Sequence, residues 1–203
     1  QVSEKTVAVI LKKAKESGIN TIDTAVSYGK SEEVLGNVGV ENWKVITKLS
    51  EVPEGCGNVS KWVRESIENS LAKLKVGCLE GLLLHRPIQL LDDDKKLLWR
   101  ALKQLKKDGL VRKIGFSIYT PNELDILWSI YKPDIVQAPY NIFDRRIKNS
   151  GWLKRMSDSR VEVHIRSIFL QGLLLIEKTQ RPKQFHNWAP LWNYWDDWLK
   201  MNR

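Results

Sequence analysis

Apolar and polar positions follow two periods along this chain, and the two periods take turns. Val7, Ile10, Leu11 and Ala14 recur at helical spacing with Gly18 as a stop, which predicts a helix over 4–17. Thr21-Ile22-Asp23-Thr24-Ala25 is then short and β-prone, and Ser31 can cap a short helix ending near Gly36. Residues 43–49 read as the next strand. Asn58 precedes an amphipathic stretch over 59–74, with Val63, Ile67, Leu71 and Leu74 on one face. Beyond it, 79–85, 113–118, 135–138 and 161–169 read as strands. Helical patterns separate them over 92–107, 121–129 and 147–156, the first with Leu97, Leu98, Ala101, Leu102 and Leu105 inward.

Strands separated throughout by helices imply parallel pairing, because parallel neighbours need long crossovers. About six β-α units are present, and no Gly-x-Gly-x-x-Gly turn follows any strand, which favours a (β/α) barrel over a doubly wound dinucleotide fold. A (β/α)8 TIM barrel takes about 250 residues, more than the 203 here, so the expected fold is α/β and an incomplete barrel, about six of its eight units. No internal boundary interrupts residues 1–203, which read as one domain. Its last segment, 176–203, changes character. Trp192, Trp195, Trp198 and Leu199 recur at helical spacing there, and Trp188 precedes them. The segment could pack on the barrel, cover its mouth or bind a partner.

The net charge of +9 raises nucleic acid or anionic lipid as partners. The basic residues, however, lie in mixed-sign company, as Lys95-Lys96 and Lys106-Lys107 do beside Asp92-Asp93-Asp94 and Asp108, and no aromatic-basic recognition motif accompanies them. Neither nucleic acid nor membrane is expected as a partner, and oligomeric state is left open. Cys56 and Cys78 are too few for a disulfide framework, and no Cys/His spacing suggests metal, so a reducing cytoplasm fits best. No apolar run approaches ~18 residues.

Active sites of such barrels lie at the C-terminal ends of the strands. Read to their ends, the predicted strands present Asp23, Lys48, His85, Ser117, Gln137 and Arg166. Each has an ordinary alternative: Asp23 could cap a turn, Lys48 could snorkel to the rim, His85 could be a structural histidine and Tyr28 a packing residue. Together they offer a mechanism. A phenol with an ordinary pKa of about 10 is a poor proton donor near neutrality, and an adjacent ammonium draws that value down. A carboxylate would hold the ammonium in place, and a neutral imidazole could donate to a carbonyl oxygen. Tyr28, Lys48, Asp23 and His85 match these roles.

At these residues the sequence resembles the aldo-keto reductase family. Asp23-Thr24-Ala25-Val26-Ser27-Tyr28-Gly29-Lys30-Ser31-Glu32 looks like that family's D-T-A-x-x-Y-G-x-S-E signature, and Lys48 and His85 complete its Asp-Tyr-Lys-His tetrad in order. Ile114-Gly115-Phe116-Ser117 resembles its I-G-x-S strand, and Gln137-Ala138-Pro139-Tyr140-Asn141 its Q-x-x-Y-N segment. Arg166-Ser167-Ile168-Phe169-Leu170-Gln171-Gly172-Leu173-Leu174 resembles its Y-S-P-L-x-x-G-L-L loop.

The resemblance implies reduction of an aldehyde or ketone with a nicotinamide cofactor, NADP(H) ahead of NAD(H), or the reverse. Tyr28 would be the general acid, Lys48 would lower its pKa, Asp23 would support Lys48 and His85 would orient the carbonyl. Ser117 and Gln137 would hold the nicotinamide carboxamide with Asn141 near the same pocket, and Ser167 to Leu170, Phe169 included, would approach the pyrophosphate. There are departures. Ile118 stands where many relatives have asparagine, and Arg166 replaces a tyrosine that stacks on the nicotinamide, a role a planar guanidinium can also fill. By comparison with the family pattern the sequence looks truncated at both ends. A nicotinamide-binding barrel that acts as a sensor without catalysis is the competing expectation.

Overall fold

The computed structural model describes residues 2–95 and 97–202; Gln1, Arg203 and Lys96, the last within the helix expected over 92–107, lie outside the described residues. A capped helix opens the chain: α1 (Glu4–Glu16) starts where the Ser3 hydroxyl accepts from the Thr6 amide. Then follow β1 (Thr21–Asp23), α2 (Ser31–Val38), β2 (Lys44–Leu49), α3 (Val59–Leu74), β3 (Leu79–Leu84), α4 (Leu98–Lys107), β4 (Val111–Ser117), α5 (Pro121–Leu127) and β5 (Ile135–Pro139). Two short helices, α6 (Arg146–Asn149) and α7 (Trp152–Asp158), lead to β6 (Glu162–Arg166), and α8 (Ala189–Met201) comes last.

The six strands form one sheet in the order β1-β2-β3-β4-β5-β6, every pair parallel. Sequence neighbours are therefore neighbours in space, the winding of a barrel rather than of a doubly wound sheet. The α/β architecture expected from the sequence is present, with six of a barrel's eight strands.

Period-2 alternation sorts each strand onto two faces. On the outer face Val45, Leu49, Leu82, Leu84, Ile114, Phe116, Val136 and Ala138 join Val63, Ile67, Leu71, Leu74, Leu98 and Leu102 of the helices in one continuous core. Ile46, Leu83 and Ile135, from the opposite face, form a separate fully buried cluster. Two glycines let that inner cluster close. A Cβ at Gly81 would lie 3.2 Å from Ile46 and 3.7 Å from Ile135, and one at Gly115 would overlap the Ile135 carbonyl oxygen. Glycine at both places curls the sheet until side chains of β2, β3 and β5 meet.

Beneath that aliphatic layer, at the start of the strands, the inner face is charged. Lys113 bridges Glu80 and Glu162 at 2.6 Å each, and His164 Nε2 lies 2.6 Å from Glu162, so β6 is fastened across the sheet to β3 and β4.

Four local expectations need correction. Ser31 does not cap α2: the cap position is Lys30, with no side-chain bond, and the Ser31 hydroxyl instead accepts from Thr24 at 3.0 Å. The helix over 92–107 begins only at Leu98, after two 3-10 turns, which rotates Leu97 out to solvent at 49% exposure. Gly151, at φ 81°, divides 147–156 into α6 and α7. β6 stops at Arg166 because Ser167 takes a left-handed conformation, φ 61°.

In the tail, Trp192 is buried with Leu173 and Leu174, and Trp195 packs against them, whereas Trp188 is exposed and Trp198 partly so. Among the described residues no helix is long and apolar enough to cross a membrane.

Ile67→Ala empties the centre of the buried face of α3 and is expected to cost about 2–5 kcal/mol. Gly115→Ala should cost more, since backbone on β5 must retreat to admit the methyl group. Urea unfolding of both variants would check the order; a Gly115→Ala protein as stable as the parent would contradict the inner packing.

Candidate active site

The C-terminal ends of the strands meet on the inner face above Ile46, Leu83 and Ile135. Lys48, at the end of β2, is 1% exposed, the largest fully buried side chain in the molecule's described part. Its ammonium donates to both oxygens of Asp23, at 2.7 and 2.6 Å, and to the Thr24 carbonyl at 2.9 Å. Local pairing sets this up: Asp23 sits opposite Ile46 in the parallel ladder, and the Val26 amide donates to the Lys48 carbonyl at 3.1 Å. Burial lowers the Lys48 pKa, and the Asp23 carboxylate offsets part of that shift.

Tyr28 and His85 face each other across this pair. Their rings lie 5.9 Å apart, edge to face, and Lys48 Nζ is 5.3 Å from the Tyr28 ring centre. Tyr28 is about half exposed. Ser27 Oγ lies 3.3 Å from His85 Nδ1, which fixes the ring and leaves Nε2 with no protein partner among the described residues. Burial, then the charges of Lys48 and Arg166, push the His85 pKa below the ordinary 6.5, so the ring is neutral at pH 7.

The phenol departs from expectation. Burial first, then the Asp23 carboxylate, hold the Tyr28 pKa above its ordinary 10.0, and the cation that pulls it down is Arg166. Asp23, bonded to the Lys48 ammonium, offsets part of the pull that cation exerts on the phenol.

Gln137 ties the next strands into the cluster: its amide donates to Asp23 at 2.9 Å and accepts from Ser117 at 3.3 Å. Both residues are buried, yet Gln137 Nε2 keeps a second N–H and the Ser117 oxygen a free lone pair, a donor and acceptor of the kind a carboxamide requires.

Arg166 reaches the rim from β6, donating to the Ile118 carbonyl at 3.0 Å with its guanidinium 4.6 Å from the centre of the Tyr119 ring. Asn141 lies near but is already engaged. Its oxygen accepts from the amides of Phe143 and Asp144 at 2.9 and 2.8 Å, and its nitrogen donates to the Ser167 carbonyl at 3.3 Å. It fastens the turn that begins at Ser167, where Leu170 and Gln171 also have positive φ, 48° and 56°. The Leu170 side chain packs with Trp192 and Trp195 in the apolar C-terminal cluster, and Phe169, largely exposed, lines the same cavity as Trp195.

Sequence reasoning passed over Glu32. It is 3% exposed and accepts from Thr47 at 2.7 Å and from Ser70 at 3.1 Å, joining α2 to β2 and α3 one residue before Lys48. The Ser31 hydroxyl likewise holds Thr24, whose carbonyl takes the Lys48 proton donor. An acid three and four positions before Leu35 and Gly36, on the buried face of a helix, was the available signal. Ser27 and Tyr119 were missed for want of any pattern pointing to them. Among the described residues no cluster of His, Cys, Asp and Glu could hold a metal ion.

The profile of the Aldo/keto reductase family matches residues 1–202. The chain belongs to the aldo-keto reductase family. It is 26% identical over 192 residues to an aldo-keto reductase of Bacillus subtilis, covering 87% of this chain and 56% of the relative. To a glyoxal reductase of the same organism it is 32% identical over 170 residues, covering 81% of this chain and 59% of the relative. Among solved structures, an aldo-keto reductase from Bacillus halodurans shares the fold, with TM-score 0.74, 24% identity and coverage of 90% of this chain and 63% of that one. A glycerol dehydrogenase from Gluconobacter oxydans gives TM-score 0.68 at 28% identity, covering 87% and 58%. This aldo-keto reductase chain thus spans less than two thirds of the length of these relatives.

Glu32→Ala leaves two buried hydroxyls without a charged acceptor and is expected to cost about 2–4 kcal/mol, with Glu32→Gln milder; urea titration would show it, and a neutral effect of both would remove the bridge from the account. An NMR titration of His85 should give a pKa under 6.5, rising toward that value in Arg166→Met as a nearby cation is removed. The unfolded chain binds this proton more readily, so the stability His85 contributes is in place above pH 6.5 and is lost as pH falls through the folded value.

Proposed function

We propose that the protein reduces a small aldehyde or ketone to an alcohol with a nicotinamide cofactor, NADP(H) in preference to NAD(H), with Asp23, Tyr28, Lys48 and His85 as the catalytic groups. The observation that carries this reading is the buried Lys48–Asp23 pair set under a half-exposed tyrosine that faces a neutral histidine. When bound, the reduced nicotinamide supplies the hydride.

The chain's own residues then have distinct tasks. His85 orients the carbonyl by donating a hydrogen bond from Nε2 to its oxygen, a task that needs the neutral tautomer with its proton on that nitrogen. Tyr28 delivers the phenolic proton to the same oxygen as negative charge builds there. A phenol held above pKa 10.0 keeps its proton at neutral pH, so the resting site is ready for reduction, whereas oxidation of an alcohol would start from the scarcer phenolate. Lys48, beneath the ring, stabilises the phenolate left after transfer, and Asp23 holds Lys48 in place.

Ser117 and Gln137 suit the carboxamide of the nicotinamide, the open face of Arg166 its ring, and the main chain of Ser167 to Leu170, Phe169 included, its pyrophosphate, with Asn141 bracing that turn. Small aldehydes are favoured as substrates because the relatives include a glyoxal reductase and, over a shorter stretch, a methylglyoxal reductase of Escherichia coli. Unpaired thiols at Cys56 and Cys78 suit a reducing cytoplasm.

Tyr28→Phe is expected to lower kcat for methylglyoxal reduction by about 10²–10⁴-fold while NADPH titrated by nicotinamide fluorescence binds as before. Unchanged turnover would sink the assignment of the proton donor. Binding with no turnover in either protein would favour a sensor.

A further inference from the structure

Arg166 differs from most arginines whose partners are visible, sharing with Arg145 and Arg155 an aromatic neighbour in place of a carboxylate, and it alone of the three stands at the rim of the site. Arg64, Arg112, Arg146 and Arg181 each meet a carboxylate, respectively Asp108, Glu80, Asp144 and Asp196. Arg166 meets none among the described residues. One of its five N–H groups donates to the Ile118 carbonyl, one face of its plane is covered by Tyr119, and its remaining N–H edge has no protein acceptor there. That edge is not sealed off: the guanidinium is half-buried, and its nitrogens are not among the buried polar atoms left without a partner.

The residue stands on the inner face of β6, opposite Pro139 of β5, on the same rim as Ser117 and Gln137. The carboxylates within its reach are already engaged: Asp23 pairs with Lys48, and Asp144, which feels the Arg166 charge, pairs with Arg146. No carboxylate among the described residues meets the Arg166 fork directly. Its field reaches the reacting groups: the Arg166 charge acts on Tyr28, Lys48 and His85 alike. A partly desolvated guanidinium without a counter-ion is costly, and a planar carboxylate meeting its fork is the partner that best relieves that cost.

Resting on the reductase reading above, we propose that Arg166 selects carbonyl substrates that carry a carboxylate, such as 2-oxo acids and aldehyde acids, by pairing its free N–H edge with that group while the carbonyl oxygen sits between Tyr28 and His85. Tyr119 acts as the positioning residue, holding the plane of the guanidinium so that the edge faces the mouth. The same edge could instead meet a phosphate of the cofactor, and the two sources of anion give different results.

The test compares glyoxylate with methylglyoxal, a pair differing in a carboxylate, in the full chain and in Arg166→Met, with Tyr28→Phe as the control for chemistry. The parent should favour glyoxylate in kcat/KM. Arg166→Met should lower the ratio of kcat/KM for glyoxylate to that for methylglyoxal by about 10- to 100-fold, the loss of one charge-assisted pair, over and above whatever loss its nicotinamide contact brings on both aldehydes. Arg166→Lys should recover part of the preference. Equal losses on both aldehydes, or a fall in NADPH affinity with selectivity unchanged, would overturn the proposal, the latter moving Arg166 to the cofactor.

Binding of oxamate and of uncharged oxamide by calorimetry, with and without NADPH, separates this idea from the reductase reading. If no aldehyde turns over, that reading fails, and oxamate binding that weakens only in Arg166→Met would still support an Arg166 carboxylate site. Oxamate binding equal in both proteins, or absent from both, would sink it.

Discussion

An ammonium group with almost no contact with water holds this structure to its shape. Desolvating a lone charge costs several kcal/mol, so Lys48 is tolerable at 1% exposure only with acceptors on every side it can use. Asp23 and the Thr24 carbonyl provide them, from the end of β1 and the residue after it. The pair therefore fixes the junction of β1 and β2, and around it stand Ser31 holding Thr24, Glu32 holding Thr47, and Gln137 holding Asp23. A single buried cation thus accounts for Asp23, Thr24 and, through Thr24, Ser31.

Layering separates that charge from the rest of the inner face. A polar rim at the strand ends, an aliphatic layer of Ile46, Leu83 and Ile135, and the Lys113 network at the strand starts follow one another. The aliphatic layer depends on side chains that are missing: only hydrogen fits at Gly115 against the Ile135 carbonyl. Because it lets the strands curl, that absence is also what gathers their ends close enough for Asp23, Lys48 and Gln137 to bond directly.

Much of this could be read from the sequence. The helix α3 was found to the residue, since its apolar spacing and its Asn58 cap gave the same boundaries and its buried face is the one expected. Strand-end reasoning named the rim because alternation in a parallel sheet leaves few places for a polar side chain. Elsewhere local signals were incomplete. The acidic run at Asp92 and Asp93 suited a helix start but folded as 3-10 turns, and the left-handed backbone at Ser167 has no glycine to announce it. The direction of the Tyr28 shift was misjudged because one dimension cannot show which neighbour a cation serves: Asp23 engages Lys48 first, and the phenol is left with burial and a carboxylate. Contacts such as Glu32 to Ser70 join residues 38 apart, and no periodicity encodes them.

The strict sequence of strands across the sheet also sets a timetable. Since each strand pairs with the one made just before it, a chain emerging from a ribosome can add units singly, without waiting for a distant segment to close a long loop. Asp23 and Lys48 lie in adjacent strands 25 residues apart, so the most demanding charge in the molecule can meet its partner before β3 to β6 are made. Arg166 arrives later, on β6. The cation that polarises the mouth joins a cradle already assembled, so a change at Arg166 need not disturb the ion pair beneath.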